Sequence, residues 1–478
     1  MTPERRIWLG AGLASLLLSL LAVWQNPYIN TDGVHYLRAV AGDTESVRHI
    51  GHWLFYSKLI GLTSQITGLE LETAAQLLNA LLDLTTVLAL LMWVKSLGGD
   101  HRVLFWAALL VLSLPYFNGN RAEIIRDHGY WAFSLLALTA YTRLWRRFSW
   151  RALAGWNLAM ILATAFRVEG VAFLVLMPLG LLARPLPWRR RLLQSLAALG
   201  PALLLLLLWL IWGPEEDRLS RLLQQGSGLF DSVLGHFEAK AQALHELLPD
   251  FSIGSSRMVL LMALLLAIAR DLAESLSWPL ALLLLARRWF PAPGVGICYR
   301  QVVGLYAAIT LLVLLLHGSR HFIMVSRYTL ALALALLPLA AFSLAHFWSR
   351  REGSGPRRLV VILALGWLVG DSLIDQNRPK PYLTDAGRWA AAHLAPGTRV
   401  VTDYDPLRLS YYAERAGGRH LQFERYGGAD ASLNAYGYAF IRDPDGPLAR
   451  ALMEKPHALV WRQAKGGREV LIYRLEIP

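Results

Sequence analysis

The chain has 478 residues, 55% of them hydrophobic and only 17% charged, with a mean hydropathy of +0.38. Ordinary globular domains carry about a quarter charged residues, so disorder and a simple soluble fold are both excluded. The formal charge of +13, from 47 Lys and Arg against 34 Asp and Glu, would on its own suggest a nucleic-acid partner, but its placement argues otherwise.

Six short segments between apolar stretches hold 19 basic residues: Arg5 and Arg6; Lys95 and Arg102; Arg143, Arg146, Arg147 and Arg151; Arg184, Arg189, Arg190 and Arg191; Arg287, Arg288 and Arg300; Arg350, Arg351, Arg357 and Arg358. The same segments contain only Glu4, Asp100 and Glu352, so they carry +16 and the rest of the chain −3. This is the positive-inside signature of a polytopic membrane protein, and no nucleic-acid partner is expected. Cys298 is alone, so no disulfide forms within the chain.

Met1 to Arg6 followed by the apolar stretch Ile7 to Val23 has a signal-like layout, but Trp24-Gln25-Asn26-Pro27 offers no small-residue cleavage site. It reads as a first membrane helix that is retained. At roughly 20 apolar residues per crossing, spans are predicted near 7–25, 73–94, 103–117, 129–145, 152–166, 169–183, 192–212, 273–288, 301–317, 328–347 and 359–373. Eleven alternating crossings that start with Arg5 and Arg6 inside put every basic cluster in the cytoplasm and the C-terminus outside. The predicted protein is a polytopic α-helical protein of the cytoplasmic (inner) membrane, with a cytoplasmic N-terminus.

The outer side then receives residues 26–72, 118–128, 213–272 and everything after about 373. In the first of these, Val34, Leu37, Val40, Trp53, Leu54, Ile60 and Leu62 recur at roughly helical spacing among charges, as in helices that lie in the interface. In the third, Leu219, Leu222, Leu223, Phe230, Val233, Leu234 and Phe237 alternate with Glu215, Glu216, Asp217 and Arg218. After Asp375 the composition becomes that of a soluble domain of about 100 residues. Val400-Val401-Thr402 and Leu459-Val460-Trp461 read as buried strands, Leu471 to Leu475 as an alternating strand, and Asp385 to His393 as a helix. The expected division is a transmembrane domain over 1–373 and an extracytoplasmic α/β domain over 374–478.

Candidate chemistry gathers on the outer side. Asp32, in Asn30-Thr31-Asp32-Gly33-Val34-His35-Tyr36, follows the first span and adjoins a glycine that permits an unusual backbone turn. A carboxylate there can serve as a general base or cap a helix starting near Gly33. Between Arg121 and His128 lie five titratable side chains, Arg121, Glu123, Arg126, Asp127 and His128. Glu123 and Arg126, three apart at what reads as a helix start, share a face, and Arg126 is a candidate phosphate ligand. Arg167 and Glu169 interrupt a long apolar run, as an ion pair holding a turn or as site residues. Ser319 to Tyr328, with Arg320, His321, Arg327 and Tyr328, forms the fourth outer cluster, whose arginines either join the site or snorkel.

In order and sidedness these features resemble the GT-C membrane glycosyltransferases, in particular the protein O-mannosyltransferase and aminoarabinose transferase group, glycosyltransferase family 39. The resemblance covers most of the chain. Asp32 matches the acidic residue of the family's first outer loop. His52-Trp53-Leu54-Phe55-Tyr56 falls where members often have His or Lys followed by Pro-Pro-Leu, without the prolines. Arg121-Ala122-Glu123-Ile124-Ile125-Arg126 resembles the family's Arg-Glu-x-x-Arg stretch. Arg327-Tyr328 resembles the Arg-Tyr that opens a late helix, and Thr402-Asp403-Tyr404 to Tyr411-Tyr412 the start of the soluble outer domain.

The resemblance implies transfer of a sugar, with inversion, from a polyprenyl-phosphate donor in the lipid bilayer to a glycolipid, glycan or protein acceptor at the outer face. Asp32 would be the base, and Arg126, Arg121 and Arg327 would hold the donor phosphate. His52, Glu123, Asp127, Arg167, Glu169, His321 and Tyr328 would line the site. Some members of the wider group use a divalent metal, for which Asp32, His35, His52, Glu123, Asp127 and His128 are available. No spacing among them forms a metal motif such as HExxH, so no cofactor is assigned and a divalent metal stays open. The rival from another class is a transporter or lipid flippase, drawing on Asp83, Arg270, Asp271 and Glu274. Asp83 lies in a single span without a repeat partner, however, and ionisable residues concentrate on the outer side. Fusing an enzymatic topology reporter after Phe148 should give a cytoplasmic signal, and fusing it after Pro478 an extracytoplasmic one; the reverse pattern would overturn the orientation.

Overall fold

The computed structural model describes residues 1–212, 218–248, 252–286, 291–292, 295–322, 324–349, 355–374, 380–418, 421–427, 433–465 and 468–475. Helices follow in chain order as α1 (Pro3–Gln25), α2 (Thr31–Val40), α3 (Thr44–His49), α4 (Phe55–Thr67), α5 (Leu71–Ser96), α6 (His101–Leu112) and α7 (Pro115–Gly119). Next come α8 (Asp127–Arg146), α9 (Trp150–Phe166), α10 (Gly170–Leu179), α11 (Trp188–Trp212), α12 (Arg218–Leu247), α13 (Ile253–Leu276), α14 (Trp278–Leu285), α15 (Ile297–His321), α16 (Leu330–Ser349) and α17 (Gly355–Leu373). The last part interleaves α18 (Pro381–His393), α19 (Pro406–Arg415) and α20 (Pro447–Met453) with strands β1 (Arg399–Thr402), β2 (Gln422–Arg425), β3 (Tyr438–Ile441), β4 (His457–Lys465) and β5 (Arg468–Leu475). The chain divides into two compact units: Met1–Leu21, Leu77–Arg121 and Arg126–Ile374 form one, and Ala22–Gln76, Ala122–Ile125 and Asp375–Pro478 the other. A cut at 373/374 differs from this division because residues 22–76 and 122–125 pack with the C-terminal residues.

The first unit is a helical bundle. Among the described residues α1, α5, α15 and α16 are long and apolar enough to cross a membrane, and α6 and the Gly170–Ala183 stretch are shorter apolar helices. The chain is a membrane protein. The predicted span at 273–288 is not a single helix. There α13 ends at Leu276, Ser277 turns at φ 63°, and α14 starts with Pro279 in its first turn, because proline lacks the amide hydrogen and its ring clashes with the preceding helical turn. Predicted features at Glu215, Glu216, Asp217, Arg287, Arg288, Arg350, Arg351 and Asp375, and the side chains of Arg218, Leu219, Leu222, Leu223 and Phe230, lie outside the described residues.

Buried aromatic rings whose polar tips find partners hold the bundle together. Trp93 Nε1 donates to Thr142 Oγ1 at 2.9 Å, tying α5 to α8, and the Tyr141 hydroxyl donates to the Met177 carbonyl at 2.6 Å, tying α8 to α10. The packing of α8 on α9 depends on Gly129, where a Cβ would sit 2.3 Å from the Phe166 ring.

In the second unit the sheet order is β2-β1-β3-β5-β4. β1 pairs in parallel with β2 and β3, so it is covered on both sides, and Val400, Val401 and Thr402 are fully buried. β5 runs antiparallel to β3 and β4. β4 is an edge strand with an irregularity between Leu459 and Trp461. The reading of Leu459-Val460-Trp461 as buried is corrected, since Leu459 is 50% and Val460 39% exposed. α19 joins the sheet to residues 22–76. Its Tyr412 hydroxyl accepts from the Ile29 amide at 2.9 Å, and its Glu414 and Ser410 accept from Arg38 at 2.6 and 2.9 Å. Tyr411 donates to Glu72 at 2.7 Å; burial and that carboxylate push the phenol well above its ordinary range.

His35 on α2 is buried, stacks on His49 of α3 with ring centroids 3.7 Å apart, and places Nδ1 3.2 Å from Ser46 Oγ. Burial and then His49 hold its pKa below the ordinary 6.5. The unfolded chain then binds a proton that the folded chain refuses, so this contribution is complete above about pH 6.5 and shrinks on acidification. Thermal melts between roughly pH 8 and pH 5 should show this loss, and His35→Gln should flatten it. Gly129→Val should lower stability by about 1–3 kcal/mol through overpacking against Phe166, read as a fall in melting temperature.

Candidate functional site

In the first unit, α9 ends because Arg167 takes an extended conformation, and the chain turns through Val168 and Glu169 into α10. This buries the Arg167 guanidinium, 7% exposed, which bonds the Glu169 carboxylate at 2.6 and 3.3 Å and pairs with Asp127 in the first turn of α8. A guanidinium removed from water is stable only with such partners. Above the pair lies Tyr328, whose ring centroid is 4.7 Å from Arg167 Cζ and 5.5 Å from Arg327 Cζ. Both are cation–π contacts.

Arg327 and Tyr328 belong to a short 3-10 turn, Ser326–Tyr328, which the end of α13 holds. Ser275 Oγ donates to the Ser326 carbonyl at 2.7 Å, the Glu274 carboxylate accepts from Ser326 Oγ at 3.0 Å, and Thr329 Oγ1 donates to the Asp271 carbonyl at 3.0 Å. Arg270 lies 2.9 Å from Asp271 and 3.4 Å from Glu274. Three of the four charges named for transport, Arg270, Asp271 and Glu274, therefore pair with one another beside this turn, while Asp83 lies 3.8 Å from Arg121.

Between the two turns is a narrow cleft of about 40 Å³. Asp127, Tyr130, Arg167, Glu169, Phe173, Tyr306, Thr310, His317, Arg327 and Tyr328 line it. His317 meets Tyr328 edge to face at 5.0 Å. The cleft thus offers guanidinium, phenol and imidazole groups over an apolar wall, a combination suited to an anionic group attached to a greasy chain.

Five of the predicted site residues, Asp127, Arg167, Glu169, Arg327 and Tyr328, come together in this lining. Arg126 directly precedes α8 and is close enough for its charge to act on Glu169. His321, one turn beyond His317 with ring centroids 4.8 Å apart, is exposed and outside the lining.

Other expectations are corrected. Arg121 is 1% exposed, donates to Asn118, to the Ser15 carbonyl and hydroxyl and to Ser19, and lies 3.8 Å from Asp83 and over the Phe117 ring. Its place is in the packing of α1 against α7, not in the cleft. Glu123 and Arg126 do not share a helix face, because α8 starts only at Asp127 and Glu123 lies in a bend assigned to the other unit.

In that second unit, Asp32 is in the first turn of α2 and does not cap it; Asn30 occupies the cap position. The Asn30 amide instead accepts from the Ile124 N–H at 2.9 Å and donates to the Ile124 carbonyl at 3.3 Å. Gly33 is helical, and its value is space: a Cβ there would meet Asn30 Oδ1 at 2.7 Å and Ile124 at 3.0 Å. His52 lies in an exposed turn at φ 59°. Among the described residues no three His, Cys, Asp or Glu side chains gather to hold a metal ion.

Tyr130, Phe173, Tyr306, Thr310 and His317 were not anticipated. A signal existed: 306, 310, 313 and 317 fall on one helical face, so Tyr306, Thr310 and His317 form a polar stripe in the otherwise apolar α15.

No protein-family model matches the chain, and no curated protein does. Solved structures do. The chain is similar to an oligosaccharyltransferase of Archaeoglobus fulgidus, solved as a complex with zinc and sulfate, with a TM-score of 0.54 and 14% identity over 91% of this chain and 68% of that one. This protein has the GT-C fold. The GT-C chain is also similar to the mycobacterial arabinofuranosyltransferase AftD (TM-score 0.48, 16% identity, 99% of this chain and 42% of that one). A third likeness is to ArnT from Cupriavidus metallidurans, solved bound to undecaprenyl phosphate (TM-score 0.40, 15% identity, 98% and 97%).

Removing the Arg121 guanidinium would leave buried Asp83 without that counter-charge. Arg121→Ala is expected to cost about 3–5 kcal/mol, seen as a large fall in melting temperature.

Proposed function

We propose that this protein is an inverting glycosyltransferase that moves a sugar from a polyprenyl-phosphate donor to a glycolipid, glycan or protein acceptor at the outer face of the membrane. Residues 1–373 would form the catalytic domain and 374–478 an extracytoplasmic domain. The observation that carries this reading is the cleft in which Arg167 and Arg327 meet over Tyr328, within a GT-C fold.

Asp127 and Glu169 pair with Arg167, and the donor phosphate is assigned to Arg327 and Arg126. A guanidinium suits this task because its planar fork matches phosphate oxygens. The phenols of Tyr130 and Tyr306 add hydrogen-bond donors, and Phe173 and Leu314 an apolar wall for the prenyl chain. Asp32 is assigned as the general base. The acceptor oxygen or nitrogen bonds to the anomeric carbon while its proton passes to Asp32. The bond from that carbon to the phosphate oxygen breaks, and its electron pair leaves with the polyprenyl phosphate. A glycosidase needs a second carboxyl group to protonate its leaving oxygen, whereas a lipid phosphate leaves as a stable anion that fixed positive charge stabilises further.

The purified protein, with a polyprenyl-phosphate sugar donor, tests this. Asp32→Asn should lose about 10²–10⁴-fold in turnover while still binding donor, and Arg327→Ala should weaken donor binding itself. Wild-type turnover by Asp32→Asn would sink the assignment. Movement of the lipid across vesicles without a glycosidic product would favour the transporter.

A further inference from the structure

We propose a second ligand site, for the phosphodiester headgroup of an anionic phospholipid, at the end of the bundle remote from the cleft. α16 links the two places: Ala331 at its start lines the cleft, and Trp348 and Ser349 at its end line another pocket. Its 20 residues span about 30 Å at 1.5 Å per residue, a bilayer's hydrocarbon thickness. The second pocket has a volume of about 780 Å³ and is open to the surroundings.

Arg6 of α1, His101 and Arg102 of α6, and Arg358 of α17 face this space, and among the described residues no acidic side chain lines it. Among the described residues, the acids adjoining it in sequence are engaged elsewhere. Glu4 bonds Lys95 at 2.5 Å, and Asp100 caps α6, accepting from the amides of Arg102 and Val103 at 3.0 Å. Two indoles complete the pocket: Trp348 lies 5.6 Å from Trp106 and 5.9 Å from Arg358 Cζ.

A phosphodiester carries one negative charge on two acceptor oxygens, which guanidinium donors match. Indoles favour the headgroup depth, and basic pockets between helices suit anionic headgroups. A soluble phosphate would use the cations but not the indoles, nor the exposed apolar side chain of Phe105 in the same lining, where an acyl chain would lie. These features favour the lipid.

The test uses the full-length protein in detergent, its melting temperature followed while phosphatidylglycerol, phosphatidylcholine or inorganic phosphate is added. Phosphatidylglycerol should raise the wild-type melting temperature, and the other two should not. Arg6→Gln/Arg102→Gln, both at exposed positions, should need roughly tenfold more phosphatidylglycerol for the same shift, and Trp348→Ala should weaken the response independently. An unchanged response in both variants would overturn the site. A matching shift with inorganic phosphate would overturn the lipid assignment.

Discussion

A guanidinium buried among packed helices needs carboxylates close by, and Arg167 has two. One, Glu169, is supplied by its own turn, and the other, Asp127, by the first turn of α8. This three-way pairing fixes the α9–α10 turn against α8 and presents the cationic face on which Tyr328 rests. The cleft exists because the charge was solved in this way. Without Asp127 the arginine would have reason to turn toward water, and the wall it makes with Tyr130 and Phe173 would open.

The opposite wall has a different origin. Arg327 and Tyr328 are carried by a short turn with little structure of its own, positioned by hydroxyl and carboxylate contacts from the end of α13. The interruption at Ser277 that divides α13 from α14 therefore lies directly beyond the residues bracing the site. A break that costs helical hydrogen bonds sits where it leaves the final turn of α13 able to engage another loop.

The sequence was most legible where lipid leaves little choice. A span needs an unbroken apolar run, and a charge such as Arg167 within such a run stands out at once. Direction was less legible. Arg121 and Arg126 lie in one short loop and look equivalent as letters, yet the first turns into the bundle toward Ser15, Ser19 and Asp83 and the second lies beside Glu169. Only the path of the intervening backbone separates them, and spacing does not encode it. Tyr306 and His317 stayed hidden for the converse reason, as scattered polar residues in a helix whose overall character is apolar. Leu459 and Val460 looked like core because periodicity reports a strand and not its place in the sheet; at the edge, one neighbour is missing.

Asn30 illustrates how narrowly one position can be constrained without any part in chemistry. Its amide both receives from and gives to the backbone of Ile124, imitating a single rung of a β-ladder with a side chain. Aspartate has the same outline but would aim an anionic oxygen at the Ile124 carbonyl, turning half of the rung into repulsion. Serine or threonine would be too short to span it. Asparagine at this point works as a stitch whose two threads run in opposite directions, and the strip of chain from 122 to 125 stays fastened to the second unit for as long as both hold.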